Sequence, residues 1–373
     1  MLTVNQVTTK KDQREFLNFP LRLYKGCPYF VPPLYMDEKK IFSKNYVYAD
    51  MCDSVYFLAK EDGKTVGRIS GIIQHAANKK NNEKRVRFTR FDSIDDENVS
   101  NALFAAVEKW AKERGMNIIC GPLGYSDLER EGLLIDGFDQ LSTFEEQYNY
   151  DYYEKLVKAY GFETEVEWNE RKLYLPDQKD EKLYRVSNMM LEKYNLKFAK
   201  CKNVNEFIKR YANKFFELLD ETYENIYGTV PFTDNMKKMM IANFKLIVDL
   251  KHVAVIVDKD DNVVSFGICF PSIAKAVQKS NGHLTLPCLV RLLKAIKHPK
   301  VIDLGLIGVK KEYAQKGVSS ALTAGVMRML EKDGVEFAET NLNLTTNYQI
   351  QNQWHRFKCV IHKRRRAYKK HID

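Results

Sequence analysis

Two similar series of apolar and polar positions run along this chain. In each series, two segments alternate apolar and polar residues around a short polar turn, which is typical of a β-hairpin. A third strand, a helix with one apolar face and a further strand follow. The first series comprises residues 55–59, 65–74, 87–91, 98–114 and 117–120, and the second comprises 253–257, 263–270, 301–309, 318–330 and a strand around Glu339.

The two series predict an internal duplication. A first strand precedes each of them, at residues 4–7 and 196–199, so both halves have the same order of elements. The polar, proline-led segment 176–181 separates the halves. We therefore predict two domains, 1–177 and 178–373.

One segment, residues 274–300, has no counterpart in the first half. It predicts a helix that is capped by Thr285 and begins at Pro287. A basic amphipathic helix can contact a membrane, but a short one more often packs on its own domain, and we predict the latter. Its apolar residues are Leu289, Val290, Leu292, Leu293 and Ile296, and its basic residues are Arg291, Lys294 and Lys297.

Composition excludes several classes of protein. Hydrophobic residues make up 45% of the chain, with 21 Phe and 21 Tyr, which is ample for packed cores and argues against disorder. No apolar run approaches the roughly 20 residues that cross a bilayer, and the first residues lack the apolar core of a signal peptide. Seven cysteines without a C-x-x-C pair predict no disulfide framework and no metal site. We expect a reduced, cytoplasmic protein.

The formal net charge of +10 favours an anionic ligand. A nucleotide-bearing small molecule and nucleic acid both satisfy this condition, and a lysine-rich proteome is the alternative explanation. The densest basic cluster is the tail, residues 363–370, in which Arg364, Arg366 and Tyr368 alternate as on the outward face of a terminal strand. The charge alone does not choose between these ligands.

The turn between the strand 301–309 and the next helix has the chemistry of an anion site. Gly317 lies at this junction, and Gly334 follows the end of the helix, where a left-handed residue is favoured. A glycine allows a phosphate to approach the first helical turn, where unpaired N–H groups and the helix dipole attract anions. We predict that this turn binds a pyrophosphate.

The same turn resembles the acyl-CoA loop of the GNAT acyltransferase superfamily, V-x-P-E-Y-R-G-K-G-I-G-S-A-L. Residues 311–322 read KEYAQKGVSSAL, and further along the chain Asn347, Ile350 and Trp354 keep the spacing of the superfamily's N-x-x-A-x-x-L-Y segment. The chain departs from the pattern at Ala314, at Ser319, at Trp354, where a general-acid Tyr is frequent, and at Lys358-Cys359. The matching loop residues are Val309, Glu312, Tyr313, Lys316, Gly317, Ser320 and Leu322. The stretch 16–34 also resembles the opening of bacterial proteins of about this length built from GNAT-like halves.

The resemblance implies an α/β (α+β) fold of two GNAT-like domains, each a mixed, mostly antiparallel twisted sheet flanked by helices. It implies an acyl-CoA co-substrate, with acetyl-CoA as the first candidate, and no metal. Asn347 would contact the pantetheine arm. The remaining donor-site residues would be Val309, Gln315, Lys316, Gly317, Val318, Ser319 and Ser320.

The resemblance also implies catalytic candidates. Asp303 would relay the amine proton, although a structural salt bridge is the more common role for such an acid. Tyr313 and Tyr348 are the hydroxyls nearest in sequence that could protonate the leaving thiolate, and the sequence does not choose between them. Three aromatic residues would line the acceptor pocket, with packing in the core as the alternative for each. They are Tyr223, Tyr227 and Phe232.

The corresponding loop of the first half, residues 92–97, predicts no donor site. It contains no glycine, and its four carboxylates would repel a phosphate. The connection that follows carries Glu129, Glu131 and Asp136, which are either acid–base groups or solvated loop acids. We therefore predict an acyl-CoA-dependent N-acyltransferase acting on a small-molecule amine. The alternatives are a tandem GNAT-fold acyltransferase that uses aminoacyl-tRNA or acyl carrier protein, and a non-catalytic ligand-binding relic.

Overall fold

The computed structural model describes residues 1–332 and 334–372, and the chain divides into two units. Unit 1 consists of Met1–Asn169, Ala274–Leu289 and His362–Asp373, and unit 2 of Glu170–Ile273 and Val290–Ile361. The ranges 1–177 and 178–373 describe the sequence repeat and stay a prediction as domains. The compact units differ from them chiefly because two later segments group with the N-terminal part of the chain.

Unit 1 is built on an alternation of strands and helices in its N-terminal half. Its elements are β1 (Leu2–Gln6), α1 (Lys10–Leu23), α2 (Tyr35–Lys40), β2 (Cys52–Glu61), β3 (Lys64–Gln74), α3 (His75–Asn81), β4 (Arg85–Ser93), α4 (Glu97–Lys112), β5 (Ile118–Gly121), β6 (Leu133–Asp136), α5 (Tyr153–Ala159) and the first residues of β7 (Glu163–Tyr174). Each predicted strand and helix of the first series is present with bounds that differ by a few residues.

The remaining elements follow in chain order. They are α6 (Glu181–Lys193), β8 (Lys197–Phe198), α7 (Val204–Tyr223), α8 (Asp234–Ile247), β9 (Val253–Val257), β10 (Val263–Pro271), α9 (Ala274–Gln278), α10 (Leu286–Lys297), β11 (Val301–Val309), α11 (Lys311–Ala314), α12 (Ser319–Leu330), β12 (Phe337–Thr340), β13 (Asn343–Leu344), α13 (Tyr348–Gln353) and β14 (Lys358–His371).

The sheet of unit 1 runs in the order β1-β2-β3-β4-β5-β14. Its neighbours are antiparallel except for the parallel pair β4 and β5, which α4 connects. The apolar face of α4 packs on this sheet through Leu103 and Val107, which are fully buried. Gly67 of β3 allows the close approach, since a Cβ atom there would lie 2.8 Å from Leu103 Cδ1.

The sheet of unit 2 repeats this arrangement. Its order is β8-β9-β10-β11-β12-β7, again antiparallel except where β11 pairs with β12 in parallel, and α12 connects that pair. The apolar face of α12 is buried through Ala321, Leu322 and Met327. The duplication and the mixed, mostly antiparallel sheets that the sequence predicted are therefore present.

Candidate functional site

Strand β11 extends beyond its parallel partner. The register of the pair runs from Val301 opposite Phe337 to Leu304 opposite Thr340, where β12 ends. β11 continues to Val309, so residues 305–309 project beyond the paired region. This extension leads directly into the turn that the sequence predicted as an anion site.

Tyr223, at the end of α7, lies against this extension. Its hydroxyl is 3.3 Å from the carbonyl oxygen of Ile307, to which it donates, and 3.3 Å from the N–H of the same residue, from which it accepts. Both main-chain polar groups of Ile307 are therefore satisfied by one side chain. The sequence suggested Tyr223 only as a pocket wall, because nothing local to residue 223 shows which strand its hydroxyl meets.

The turn after β11 is held open by a left-handed glycine. Gly317 has φ +72°, and a Cβ atom there would meet only Met190, at 3.6 Å. The N–H of Lys316 donates to Tyr313 O, and that of Ser320 to Gly317 O, each at 3.0 Å. Among the described residues, no hydrogen bond is recorded for the N–H groups of Gly317, Val318 and Ser319. Gly317 and Ser319 are partly exposed, so their amides are available to a ligand, whereas Val318 between them is fully buried.

The start of α12 has no side-chain cap. Val318 occupies the N-cap position and offers no acceptor, so the amides and the positive end of the helix dipole are unopposed. The Lys316 ammonium lies 4.7 Å from the Tyr313 ring centroid and 5.1 Å from that of Tyr194. Glu312, the acid nearest in the turn, is paired with Lys310 at 2.8 Å. The turn therefore presents amides and an ammonium group to an anion.

The corresponding helix start in unit 1 is closed. The Asp96 carboxylate accepts from the N–H of Asn98 at 2.7 Å and caps α4. Just before it, the buried Asp92 binds Arg68 at 2.7 Å and the Tyr24 hydroxyl at 2.9 Å. An acidic side chain therefore caps this helix start, and the lack of a donor site in the first half stays a prediction.

Two known bacterial proteins are similar to this chain over most of its length. The chain is 26% identical to protein YghO of Escherichia coli K12, covering 99% of this chain and 95% of that protein. It is 25% identical to the bacterial ceramide synthase of Caulobacter vibrioides, covering 85% and 83%. No family model matches.

Two solved structures share the fold of this chain. A tandem GNAT protein from the clavulanic acid biosynthesis pathway matches with a TM-score of 0.52 at 10% identity, covering 100% of this chain and 98% of that one. The chain has a tandem GNAT fold. The glucosamine N-acetyltransferase region of a fungal multi-domain β-N-acetylglucosaminidase matches with a TM-score of 0.60 at 12% identity. That match covers 99% of this chain and 38% of the fungal enzyme.

Within the tandem GNAT fold, Asp303 lies inside β11 rather than at its edge. It is 5% exposed and stands in register with Phe270 on one side and Glu339 on the other. Burial, and then the Asp303 carboxylate, raise the pKa of the adjacent Cys269 thiol to about 12. The structure places Asp303 on the strand that leads to the turn, two residues before the part of β11 that extends beyond β12 and pairs only with β10.

The two tyrosines proposed as proton donors differ in setting. Tyr313 is partly buried beside Val318, and burial, followed by the Glu312 carboxylate, raises the pKa of its phenol. Tyr348 is 72% exposed at the start of α13. The structure therefore brings Tyr313, but not the ring of Tyr348, into packing contact with the turn residues.

Asn347 and Trp354, which carried the second part of the resemblance, have structural partners. The Asn347 side chain accepts from the N–H of Ile350 at 3.3 Å and caps α13. Trp354 is 5% exposed, and its indole N–H donates to Asn343 Oδ1 at 2.8 Å. An indole bound in this way is not a proton donor for the reaction.

The other predicted residues lie on the turn or on α7 and its sequel. Val309 packs against the start of α12, Gln315 is exposed, and the Ser320 hydroxyl donates to Gly317 O at 2.6 Å. Phe232 packs on Phe216, with ring centroids 5.7 Å apart, in the apolar cluster of α7. Tyr227, which follows α7, is partly buried.

The basic tail is an outward cationic face only in part, since Arg364 is exposed and Arg366 is partly buried. Within unit 1, β14 buries Lys363, Arg365 and Tyr368 completely. The Arg365 guanidinium donates to Gln147 O at 2.5 Å, and the Tyr368 hydroxyl donates to Glu154 at 2.8 Å. The predicted alternation was wrong for Tyr368, because the strand is buried on both faces at Ala367 and Tyr368, although Arg364 is exposed.

One functional candidate of unit 1 was only partly visible in the sequence. Glu131 is 4% exposed, and its Oε1 atom has no hydrogen bond among the described residues. Burial, followed by the nearby Asp127 carboxylate, raises its pKa well above the usual range. Its neighbour Glu129 instead accepts from the Tyr46 hydroxyl at 2.7 Å. The loop acids are thus not uniformly solvated, and only tertiary burial distinguishes them.

Proposed function

We propose that this protein is an acyl-CoA-dependent N-acyltransferase, with its donor site in unit 2 at the turn before α12. The observation that carries the proposal is the uncapped start of α12, where the N–H groups of the partly exposed Gly317 and Ser319 have no hydrogen-bond partner among the described residues. A helix start of this kind is suited to the pyrophosphate of coenzyme A. The tandem GNAT fold and the resemblance of residues 311–322 to the acyl-CoA loop support the same donor.

The chemistry needs a neutral amine whose nitrogen attacks the thioester carbonyl. A C–N bond forms, the C–S bond breaks, the amine gives up a proton, and the thiolate takes one. Asp303 is the candidate proton acceptor because it is a buried carboxyl group on β11. Tyr313 and Tyr348 remain the proposed proton donors. Tyr223 of α7 is added because its hydroxyl contacts Ile307 on β11, the strand that carries Asp303.

The acceptor is proposed as an amine, without a choice of compound. The Caulobacter relative is named a ceramide synthase, and ceramides are amides of long-chain amino alcohols. A long-chain amine therefore belongs in the test beside amino acids, polyamines and amino sugars. Long-chain acyl-CoA belongs beside acetyl-CoA for the same reason.

The experiment measures donor binding and then turnover with the full-length protein. Calorimetry with coenzyme A, acetyl-CoA and palmitoyl-CoA should show one site per chain, because the helix start in unit 1 is capped by Asp96. Release of free thiol in the presence of each amine then identifies the acceptor class. Absence of binding to every CoA compound would overturn the proposal, as would two equivalent sites.

The alternative donors are tested in the same experiment. Acylated carrier protein and aminoacyl-tRNA are offered to the protein with the same amines, and product is followed by mass spectrometry. The tail gives RNA less support than the sequence suggested, since Lys363 and Arg365 are fully buried. Binding of CoA without turnover by any amine would favour the ligand-binding relic.

A further inference from the structure

Helix α10 has an apolar stripe that faces solvent. Leu286, Val290 and Leu293 are 80%, 66% and 68% exposed, and their spacing of four and three residues places them on one side of the helix. Leu289, beside them, is 43% exposed. The opposite side carries Cys288, which is fully buried. An ordinary surface helix has the reverse arrangement, so this stripe is a candidate docking surface.

The beginning of this helix is anchored in unit 1. The Cys288 N–H donates to the Thr285 hydroxyl at 3.4 Å, as the predicted cap requires, and the Cys288 thiol contacts Ala276 O at 3.7 Å. Gln278 donates to the carbonyl oxygens of Pro28 and Phe30, at 2.9 and 3.0 Å. These contacts fix which side of the helix faces inward. The sequence predicted that the apolar residues would pack on the protein, and for the stripe that prediction was wrong.

The segment that carries the stripe has charges of one sign, and Lys300 at its end pairs with Glu336 at 3.7 Å. Residues 272–300 contain no Asp or Glu and six basic residues, namely Lys275, Lys279, Arg291, Lys294, Lys297 and Lys300. Lys294 and Lys297 are exposed and lie one turn after Val290 and Leu293, next to the stripe. Aliphatic side chains flanked by ammonium groups match the boundary between acyl chains and anionic headgroups.

We propose that α10 docks this protein on the surface of an anionic lipid bilayer, with Leu286, Val290 and Leu293 in the interface. The docking is peripheral, and among residues 1–332 and 334–372 no helix combines the length and apolarity that crossing a membrane requires. A second copy of the chain is a poorer occupant, because it would bring the exposed Lys294 and Lys297 of the two copies together. The proposal does not depend on the proposed function.

The experiment is flotation of the full-length protein with liposomes of phosphatidylcholine alone and of phosphatidylcholine with 30% phosphatidylglycerol. The anionic vesicles should bind the protein at least tenfold better, and 0.5 M salt should weaken that binding several-fold. Leu293→Glu should reduce binding by tenfold or more. Leu246→Glu is the matched control, since Leu246 is 75% exposed on α8, outside the segment. It should leave binding unchanged.

Three outcomes would overturn the proposal. The first is no flotation with anionic vesicles, and the second is equal loss in Leu293→Glu and Leu246→Glu. The third is a dimer by light scattering that Leu293→Glu converts to a monomer, which would show that a second copy covers the stripe. Circular dichroism of each variant confirms that the helix content is intact. A Lys294→Glu, Lys297→Glu double variant should lose the preference for anionic vesicles and retain weak binding to both compositions.

Discussion

Introducing a carboxylate at Gly317 tests the donor site most directly. Gly317→Asp has two effects that the structure separates. The backbone there has φ +72°, which costs a residue with a Cβ atom about 1–2 kcal/mol. The new Cβ atom itself fits, because its nearest neighbour is Met190 Cγ at 3.6 Å. The variant should therefore fold, with a melting temperature lower by a few degrees.

The effect on binding should be much larger than the effect on stability. A carboxylate about 4 Å from a phosphate charge costs about 4 kcal/mol at an effective dielectric constant of about 20. That penalty corresponds to a dissociation constant about a thousandfold weaker. Calorimetry with acetyl-CoA measures it, and differential scanning fluorimetry measures the melting temperature of the same sample.

Gly334→Asp is the matched control. Gly334 is also left-handed, with φ +92°, and a Cβ atom there meets nothing within 4 Å. This variant should have the same backbone strain as Gly317→Asp and should bind acetyl-CoA like the wild type. Equal affinities for Gly317→Asp and the wild type would remove the turn from the donor site, and equal losses in both variants would attribute the effect to stability.

Three further predictions concern single side chains. Tyr223→Phe removes both hydrogen bonds to Ile307. Turnover should therefore fall at least tenfold, while the acetyl-CoA dissociation constant changes less than threefold. Equal losses of turnover, measured by kinetics, and of affinity, measured by calorimetry, would contradict this prediction. The free energy of unfolding of Glu131→Gln should increase relative to that of the wild type as pH rises from about 5 to 8. Because burial raises the pKa of Glu131 in the folded protein, this side chain contributes stability below pH about 4.5. That contribution is lost as pH rises, by about 1.4 kcal/mol per pKa unit. The same pH dependence of the melting temperature in the variant and the wild type would refute the assignment. Asp92→Asn leaves the buried Arg68 without its carboxylate partner, although the hydrogen bond to Phe16 O remains. The change should destabilise unit 1 by about 3–5 kcal/mol in urea unfolding, whereas a loss of less than about 1 kcal/mol would show that water replaces the pair.

Periodicity predicted the elements of this fold well where one face of an element is buried against its own neighbours. The strand Val301–Val309 and the helix from Ser319 onwards follow the apolar pattern, since local burial decides both. β7, which runs over Glu163–Tyr174, belongs to neither of the two apolar series. Its polar residues there are held by partners that lie far along the chain, such as Arg366, which pairs with Glu167.

The candidate site was predictable in part for the same reason. A glycine before an uncapped helix can be seen in a sequence, and so can the acids that close the equivalent start in unit 1. The contact of Tyr223 with Ile307 could not be seen, because it joins residues 84 positions apart. The exposure of the α10 stripe could not be seen either, because an apolar face gives the same pattern whether protein or another partner covers it.

Strand β14 has a consequence for how the chain matures. Its residues from Tyr368 to His371 complete the edge of β5 in unit 1, and Tyr368 is fully buried there. During synthesis, the edge of β5 stays unpaired until residues 362–371 have left the ribosome. An unpaired strand edge can form hydrogen bonds with other chains and so promotes aggregation. Deletion of residues 368–371 should therefore destabilise unit 1, although most of that unit is synthesised first. Before β14 is made, a chaperone that binds unpaired strand edges would bind the nascent N-terminal half.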